Sequence, residues 1–236
     1  LSDLSSIRSL AMDLSASFDR LDILINNAGL MAIPFARTEN GFEMQFGVNH
    51  LGHFALTGLV LDMIRSTPGS RIVNVSSLAH VIGKIRFHDL HWETGYNKWG
   101  AYGQSKLANL LFTYELNRRL NGKANGVIIA AAHPGYANTN LQTKGAKMKG
   151  DKLNAGLFQL ANNLFAQSPD KGALPSLYAA TSPEVIPSGF YDPDGILSLS
   201  GYPGSAKIPG KKKMNQESAQ KLWEISEELT RVSYEI

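Results

Sequence analysis

Three apolar segments, each running into small or polar residues, constrain the fold of this chain most strongly. They cover residues 22–29 (D-I-L-I-N-N-A-G), 71–77 (R-I-V-N-V-S-S) and 127–135 (V-I-I-A-A-A-H-P-G). Continuous apolar runs separated by helical segments are typical of parallel strands covered by helices on both faces. Ligands of such sheets bind at the carboxyl ends of the strands, where these segments place their polar and Gly-rich residues. The sequence therefore predicts an α/β protein with a doubly wound parallel sheet and a site at that edge.

The remaining segments carry helical periodicity, helix caps or a short apolar run. Helices are predicted at residues 4–17, 40–65, 102–120, 172–181 and 216–229, and a fourth parallel strand at 189–191. Asn121 and Gly122 are expected to cap the helix at 102–120. A further helix is predicted near residues 153–165, in a segment expected to cover the substrate pocket.

Tyr102 and Lys106 lie four residues apart on a predicted helix and therefore share one face. An ammonium close to a phenol favours the ionised phenol, so the pKa of Tyr102 is expected to fall below the usual value of about 10. A phenol tuned in this way exchanges a proton with a carbonyl or alcohol near neutral pH. Because this spacing also occurs by chance on solvated helices, the assignment depends on the other segments.

Five motifs occur in the order found in the short-chain dehydrogenase/reductase family, which the chain resembles over nearly all its length. They are N-N-A-G at residues 26–29, V-N-H-L-G-H at 48–53, N-V-S-S at 74–77, Y-x-x-x-K at 102–106 and H-P-G-x-x-x-T at 133–139. Residues 1–8 and 79–90 are similar, more narrowly, to the retinol-dehydrogenase-like branch. The resemblance implies a Rossmann-like fold that transfers hydride between NADP, or alternatively NAD, and a hydrophobic aldehyde or ketone and its alcohol.

The resemblance also implies a role for each polar residue of these motifs. Tyr102 would be the general acid/base, and Lys106 would bind the nicotinamide ribose. Ser77 would donate a hydrogen bond to the substrate oxygen, and it is preferred to Ser76 because its separation from Tyr102 matches the retinol-dehydrogenase-like branch. Asn49 would hold an irregularity in its helix and anchor a water that passes protons to Lys106.

Cofactor-binding residues are expected at the ends of two strands and on the Tyr102 helix. Small residues at the first of these ends would let the adenosine ribose approach the backbone. The expected contacts are Asn26, Asn27, Ala28 and Gly29 beneath the cofactor, and Pro134, Gly135, Thr139, Tyr102 and Lys106 around the nicotinamide.

One family signature, the T-G-x-x-x-G-x-G turn that binds pyrophosphate at a helix N-terminus, does not occur in this sequence. Two strand–helix units of about 30 residues each would account for the difference. Residues 1–236 are therefore expected to be a single, N-terminally incomplete domain, in which the Ile23 strand has an open apolar edge. This chain alone is predicted to be poorly soluble or to fail to bind NADP. An inactive fragment, or a cofactor-less binding protein of the same fold, remains the alternative.

Composition excludes several other functions. A net charge of +3, with no basic face interleaved with aromatic residues, argues against nucleic-acid binding. The absence of cysteine excludes disulfides and Cys-ligated zinc, and it disfavours a protochlorophyllide-reductase-like enzyme, a relative with the N-N-A-G and Y-x-x-x-K motifs. The six histidines lack zinc-binding spacing, so no metal is expected. No apolar run reaches the roughly 18 residues of a membrane span; a cytoplasmic location is expected, with membrane association through a missing N-terminus left open.

Two expectations concern surfaces. Phe87, Trp92, Tyr96 and Trp99 precede Tyr102, and they either wall an apolar substrate pocket or pack their loop onto the sheet. The helices at 40–65 and 102–120 are similar to the two through which the family often dimerises; monomers also occur in the family, so a homodimer and a monomer are both left open.

Overall fold

The computed structural model describes residues 1–120, 126–135, 168–195, 198–210 and 214–236. Five strands form one sheet in the order β1 (Ile23–Asn26), β2 (Arg71–Val75), β3 (Ile128–Ala132), β4 (Phe190–Pro193) and β5 (Pro203–Ser205). Strands β1 to β4 are parallel, whereas β5 runs antiparallel to β4. The predicted parallel sheet is confirmed. The extra strand β5 could not be predicted, because its Pro-Gly-Ser sequence lacks strand-forming residues.

The helices are α1 (Leu4–Ser17), α2 (Met44–Phe46), α3 (Gly52–Leu59), α4 (Leu61–Ser66), α5 (Lys98–Leu120), α6 (Pro169–Thr181) and α7 (Gln216–Thr230). A π-helix occupies Gly47–Leu51 and a 3₁₀-helix occupies Leu78–Val81. The helix predicted over residues 40–65 begins later, at Met44, contains the π-helix, and is divided into α3 and α4 at Val60 (φ −107°, ψ 8°). The predicted cap at Asn121 and Gly122 and the predicted helix near 153–165 lie outside the described residues.

Alternating residues of the central strands build one core on each face of the sheet. Ile72 and Ile129 pack with the aromatic residues of α3, α5 and α7 on one face. Val73 and Ala130 pack with Ala179 of α6 on the other. Because successive side chains of a strand point to opposite faces, two apolar cores require nearly continuous apolar strands.

Helix α7 covers the two helices that were predicted to form a homodimer interface. Trp223 of α7 is 2% exposed, and its ring centroid lies 5.9 Å from that of Phe112 on α5 and 5.2 Å from that of Phe54 on α3. The Tyr234 hydroxyl, beyond α7, donates to the Phe54 carbonyl at 2.6 Å. One face of each helix is therefore covered by the chain's own C-terminal residues, and the homodimer remains a prediction.

Strand β1 is at the edge of the sheet, as the sequence predicts, and apolar side chains lie exposed near it. Met12 is 66%, Phe18 59% and Ile23 41% exposed. Across the described ranges, no helix is both long and apolar enough to span a membrane.

Candidate active site

The end of β2 and the first half of α5 bring Ser77, Tyr102 and Lys106 together. The Ser77 hydroxyl lies close enough to the Tyr102 phenol to lower the pKa of that phenol. The Lys106 Nζ atom lies one helical turn along, 5.8 Å from the centroid of the Tyr102 ring. Tyr102 and Lys106 are each 5% exposed, whereas Ser77 is partly exposed. A hydroxyl, a phenol and an ammonium thus converge at the carboxyl edge of the sheet.

The two adjacent serines have different environments. The Ser76 side chain is 1% exposed and donates to the backbone carbonyl of Lys106 at 2.9 Å. The Ser77 side chain points the other way, accepts from the Ala79 N–H at 3.3 Å and caps the 3₁₀-helix. Strand alternation therefore places Ser77, and not Ser76, beside the phenol.

Burial dominates the electrostatics of the tyrosine–lysine pair. Burial raises the pKa of Tyr102, and the hydrogen bond from Ser77 opposes that rise. Burial also lowers the pKa of Lys106, to about 8, and its ammonium donates to the Val75 carbonyl at 3.1 Å. The expected lowering of the Tyr102 pKa is therefore wrong for this structure, because desolvation of the phenolate outweighs the opposing contribution of Ser77.

Asn49 lies within the π-helix, which is the helix irregularity that the sequence analysis expects at this residue. Its amide nitrogen donates to the Ser105 hydroxyl and the Leu30 carbonyl, each at 2.9 Å. Its amide oxygen accepts from the Leu30 N–H at 2.7 Å, and the Asn49 carbonyl lies 3.0 Å from Nδ1 of His53. Asn49 therefore joins the turn after β1 to α5, one residue before Lys106.

The first residue of the N-N-A-G turn is buried, whereas the next two are exposed. Asn26 is 2% exposed, and its amide donates to Asn74 at 2.8 Å and to Thr57 at 3.0 Å. Asn27 and Ala28 are exposed. A Cβ on Gly29 would lie 3.0 Å from Asn49 Oδ1 and 3.6 Å from Lys106 Nζ, so a side chain here would press on Asn49 and occupy space next to Lys106.

The end of β3 contributes a second surface next to these groups. Gly135 adopts φ +70°, a conformation that favours glycine after Pro134. The His133 side chain is 3% exposed, and neither ring nitrogen has a hydrogen-bond partner. Burial lowers the pKa of His133 to about 3, with smaller contributions from His80 and Lys106. Thr139 lies outside the described residues.

Two residues between Tyr102 and Lys106 matter to the site, and the sequence analysis missed both. A Cβ on Gly103 would lie 2.7 Å from the Ala79 carbonyl oxygen, so the 3₁₀-helix after Ser77 packs directly on the α5 backbone. The Gln104 amide accepts from the Arg86 N–H at 3.0 Å and donates to the Leu90 carbonyl at 2.9 Å. The signal that could have revealed Gly103 is a glycine in a helix interior, where it is unfavourable by about 1 kcal/mol.

Of the four aromatic residues that precede Tyr102, Trp99 packs on its ring, with centroids 6.2 Å apart. Trp92 stacks against the Arg86 guanidinium at 4.1 Å, and Phe87 against the Lys221 ammonium at 4.8 Å. The Tyr96 hydroxyl donates to the Ile33 carbonyl at 3.0 Å. Trp99 thus borders the site, and the other three pack their loop. Within the described part of the chain, no group of three His, Asp or Glu residues could hold a metal ion.

The residues at this edge fit the nicotinamide half of a dinucleotide. Gly29 leaves room that a Cβ would fill, next to Lys106 and Asn49. The buried, unpartnered nitrogens of His133 lie at the end of β3. Donors and acceptors without protein partners at a strand's carboxyl end suit a polar ligand bound there.

The parallel sheet and the polar groups at its carboxyl edge define the Rossmann-like class of α/β proteins. The family model described as short chain dehydrogenase matches residues 1–150. The chain belongs to the short-chain dehydrogenase family.

Similar proteins include three mammalian retinol dehydrogenases. Human retinol dehydrogenase 14 is 45% identical over 231 residues, which cover 96% of this chain and 64% of that protein. Human retinol dehydrogenase 13 is 46% identical, with 97% of this chain and 66% of that protein covered. Mouse retinol dehydrogenase 12 is 42% identical, with 100% and 69% covered. The chain thus spans about two thirds of the length of these relatives.

Solved structures show the same fold. An uncharacterized protein from Mycobacterium Paratuberculosis superimposes with a TM-score of 0.77 at 39% identity, covering 100% of this chain and 75% of that chain. The RhlG/NADP active-site complex from Pseudomonas aeruginosa superimposes with a TM-score of 0.55 at 22% identity, covering 79% of this chain and 70% of that chain. The second likeness concerns the fold alone.

Proposed function

We propose that this protein is an NADP-dependent oxidoreductase that interconverts a hydrophobic aldehyde or ketone and its alcohol, within one domain of residues 1–236. The observation that carries the proposal is the convergence of the Ser77 hydroxyl, the Tyr102 phenol and the Lys106 ammonium at one edge of the sheet. Family membership and the retinol dehydrogenase relatives support this reaction class. The preference for NADP over NAD, and for a hydrophobic substrate, comes from the resemblance to the retinol-dehydrogenase-like branch.

In the reductive direction, Tyr102 donates its phenol proton to the carbonyl oxygen as that oxygen gains negative charge. Ser77 donates a hydrogen bond to the same oxygen and stabilises the charge as it develops. The cofactor supplies the hydride. In the oxidative direction, Tyr102 takes the alcohol proton.

The other residues of the site would hold these groups and the cofactor in place. Lys106 would bind the nicotinamide ribose, and Asn49 would orient a water that passes protons to Lys106. Asn27, Ala28 and Gly29 would lie against the adenosine ribose, with Asn26 supporting their turn from below. Pro134, Gly135 and Thr139 would bracket the nicotinamide, and Trp99 would form an apolar wall.

The alternative proposal, an inactive or cofactor-less protein of the same fold, is favoured by one observation. This sequence contains no T-G-x-x-x-G-x-G turn to bind the pyrophosphate. An in-frame strand followed by that turn, in the DNA upstream of the Leu1 codon, would decide for the enzyme.

The test is an assay of the protein expressed from its complete gene, with NADPH and NADH against retinal and a panel of medium-chain aldehydes and ketones. Tyr102→Phe should lower kcat by at least about 10²- to 10⁴-fold, because it removes the acid/base group. Cofactor affinity, measured by fluorescence titration, should change little. Tyr114→Phe, on the same helix but partly exposed, is the matched control and should keep the parent rate. A near-normal rate for Tyr102→Phe would refute the assigned proton donor.

A further inference from the structure

His80 makes two contacts that have no role in the mechanism described so far. It lies in the 3₁₀-helix directly after Ser77 and is 2% exposed. Its Nδ1 atom lies 2.6 Å from the Ser77 carbonyl oxygen, and its Nε2 atom lies 2.9 Å from the Pro209 carbonyl oxygen. The imidazole therefore joins the backbone of Ser77 to a segment 129 residues further along the chain.

Both partners of this ring are hydrogen-bond acceptors without a proton to give. A neutral imidazole has one N–H, so it can donate to one carbonyl, and its other nitrogen would face the lone pairs of the second carbonyl. Both contacts are hydrogen bonds only in the imidazolium form, in which each nitrogen carries a proton. The two distances together fit a ring that directs one N–H at each carbonyl.

The surroundings of His80 leave that charge to the backbone carbonyls. Its titratable neighbour is His133, just after β3, which is neutral because burial lowers its pKa to about 3. From β4, the Phe190 ring packs edge-on with its centroid 6.0 Å away. The ion pairs found among the described residues do not include His80. The two backbone carbonyls at its nitrogens therefore stabilise the charged ring. Hydrogen bonds from a charged donor are stronger than those from a neutral donor.

The segment that holds Pro209 is itself anchored to the sheet. The Ala206 N–H donates to the Phe190 carbonyl at 2.9 Å, and Ile208 packs against Leu110, Ala131 and Phe190. A ring bonded to Pro209 therefore transmits the position of β4 to the turn that carries Ser77. That turn rests on α5 at Gly103.

We propose that His80 is a positioning residue, an imidazolium that fixes the Ser77 turn by bridging the carbonyls of Ser77 and Pro209. The proposal rests on the proposed function, because Ser77 is the group that it positions. The protonation state of His80 is independent of turnover, so the two ideas can fail separately.

The first measurement is a histidine side-chain ¹⁵N spectrum of the unmutated protein, expressed from its complete gene, at pH 6. His80, assigned by its loss in His80→Gln, should show two protonated nitrogens in an environment protected from solvent. His50, His53 and His133 serve as internal controls and should be neutral, because burial lowers their pKa values to about 3, 4 and 3. A neutral-tautomer pattern for His80 would overturn the proposal.

The second measurement is the kinetics of His80→Leu and His80→Gln. Loss of both donors in His80→Leu should lower kcat tenfold to a hundredfold and leave the KM for cofactor within about twofold, since the misplaced group is Ser77. His80→Gln keeps an N–H donor and should recover part of that loss. His88→Gln, at an exposed histidine, is the matched control. A kcat for folded His80→Leu and His80→Gln within twofold of the parent would refute the positioning role.

Discussion

Replacing Gly103 by alanine tests whether the packing of the Ser77 turn on α5 sets the geometry of the site. Alanine is favoured over glycine by about 1 kcal/mol in a helix interior. The new Cβ, however, would lie 2.7 Å from the Ala79 carbonyl oxygen and 3.0 Å from the Gly83 Cα. Both neighbours are backbone atoms, so the turn must move by roughly 0.5–1 Å to reach ordinary van der Waals contact.

The helix propensity of alanine raises stability and the clash of its Cβ lowers it, whereas only the clash affects activity. Overpacking of this kind costs about 1–3 kcal/mol, so the net loss of unfolding free energy is roughly 0–2 kcal/mol. That corresponds to a fall in Tm of at most several degrees. Because a displacement near 1 Å can lower the rate by about 10²-fold, kcat should fall tenfold to a hundredfold while the fold survives.

The assay is steady-state reduction alongside thermal unfolding for Gly103→Ala and a matched control, each expressed from the complete gene. Gly204→Ala is that control, since its Cβ would meet only the Asp194 Cβ, at 4.0 Å, and the added methyl has room. A Gly103→Ala protein with a raised Tm and an unchanged kcat would refute the reasoning, because helix propensity would then be the whole effect.

Three further predictions follow from contacts in and around the site. Ser77→Ala should lower kcat by about 10²–10³-fold with little change in Tm. Ser76→Ala should instead lower the free energy of unfolding by about 1 kcal/mol, because it loses the hydrogen bond to the Lys106 carbonyl. Steady-state rates and thermal melts distinguish the two variants, and the opposite pattern would reverse the serine assignment. Lys106→Met should abolish turnover but raise the unfolding free energy by about 1–3 kcal/mol at pH 7, because the folded-state pKa of Lys106, about 8, lies below its unfolded value near 10.4. Burying the Lys106 ammonium costs stability in full below pH 8, and this cost disappears as the pH rises to about 10.4. The Tm difference between the variant and the parent must therefore shrink between pH 8 and about 10.4. Expressed alone, this 236-residue chain should aggregate, and lysine at Met12 and Ile23 should raise the monomer fraction in size-exclusion chromatography; a soluble, monodisperse parent would contradict this.

The elements that the sequence predicts well are those whose signal is local. The apolar runs that became β1, β2 and β3 carry their own signature, and α1 occupies residues 4–17 as its periodicity predicts, with Asp3 as its N-cap. The π-helix at Asn49 could not be predicted from the residue pattern, because a single wider turn does not change the apolar periodicity of the helix. Family resemblance indicated it where residue pattern alone predicted a continuous helix.

The failures concern properties that exist only once distant segments meet. The amphipathic pattern of α7 predicts a helix with an apolar face, but nothing local says that Trp223 packs on Phe54 and Phe112. Gly103 likewise owes its role to the approach of Ala79. The sign of the Tyr102 pKa shift depends on burial contributed by the whole site, which a four-residue spacing does not report.

The pKa values of Tyr102 and Lys106 shift in opposite directions, and together they decide which of the two groups carries the proton. A phenol beside a neutral amine and a phenolate beside an ammonium hold the same number of protons, so pH cannot select between these two states of the pair. Burial favours the uncharged state, since it raises the pKa of Tyr102 and lowers that of Lys106 to about 8. Reduction uses the phenol as burial leaves it, whereas oxidation needs the phenolate, which the Ser77 hydrogen bond stabilises. Because Ser77 has a single O–H, the phenolate and the substrate oxygen compete for that hydrogen bond during oxidation.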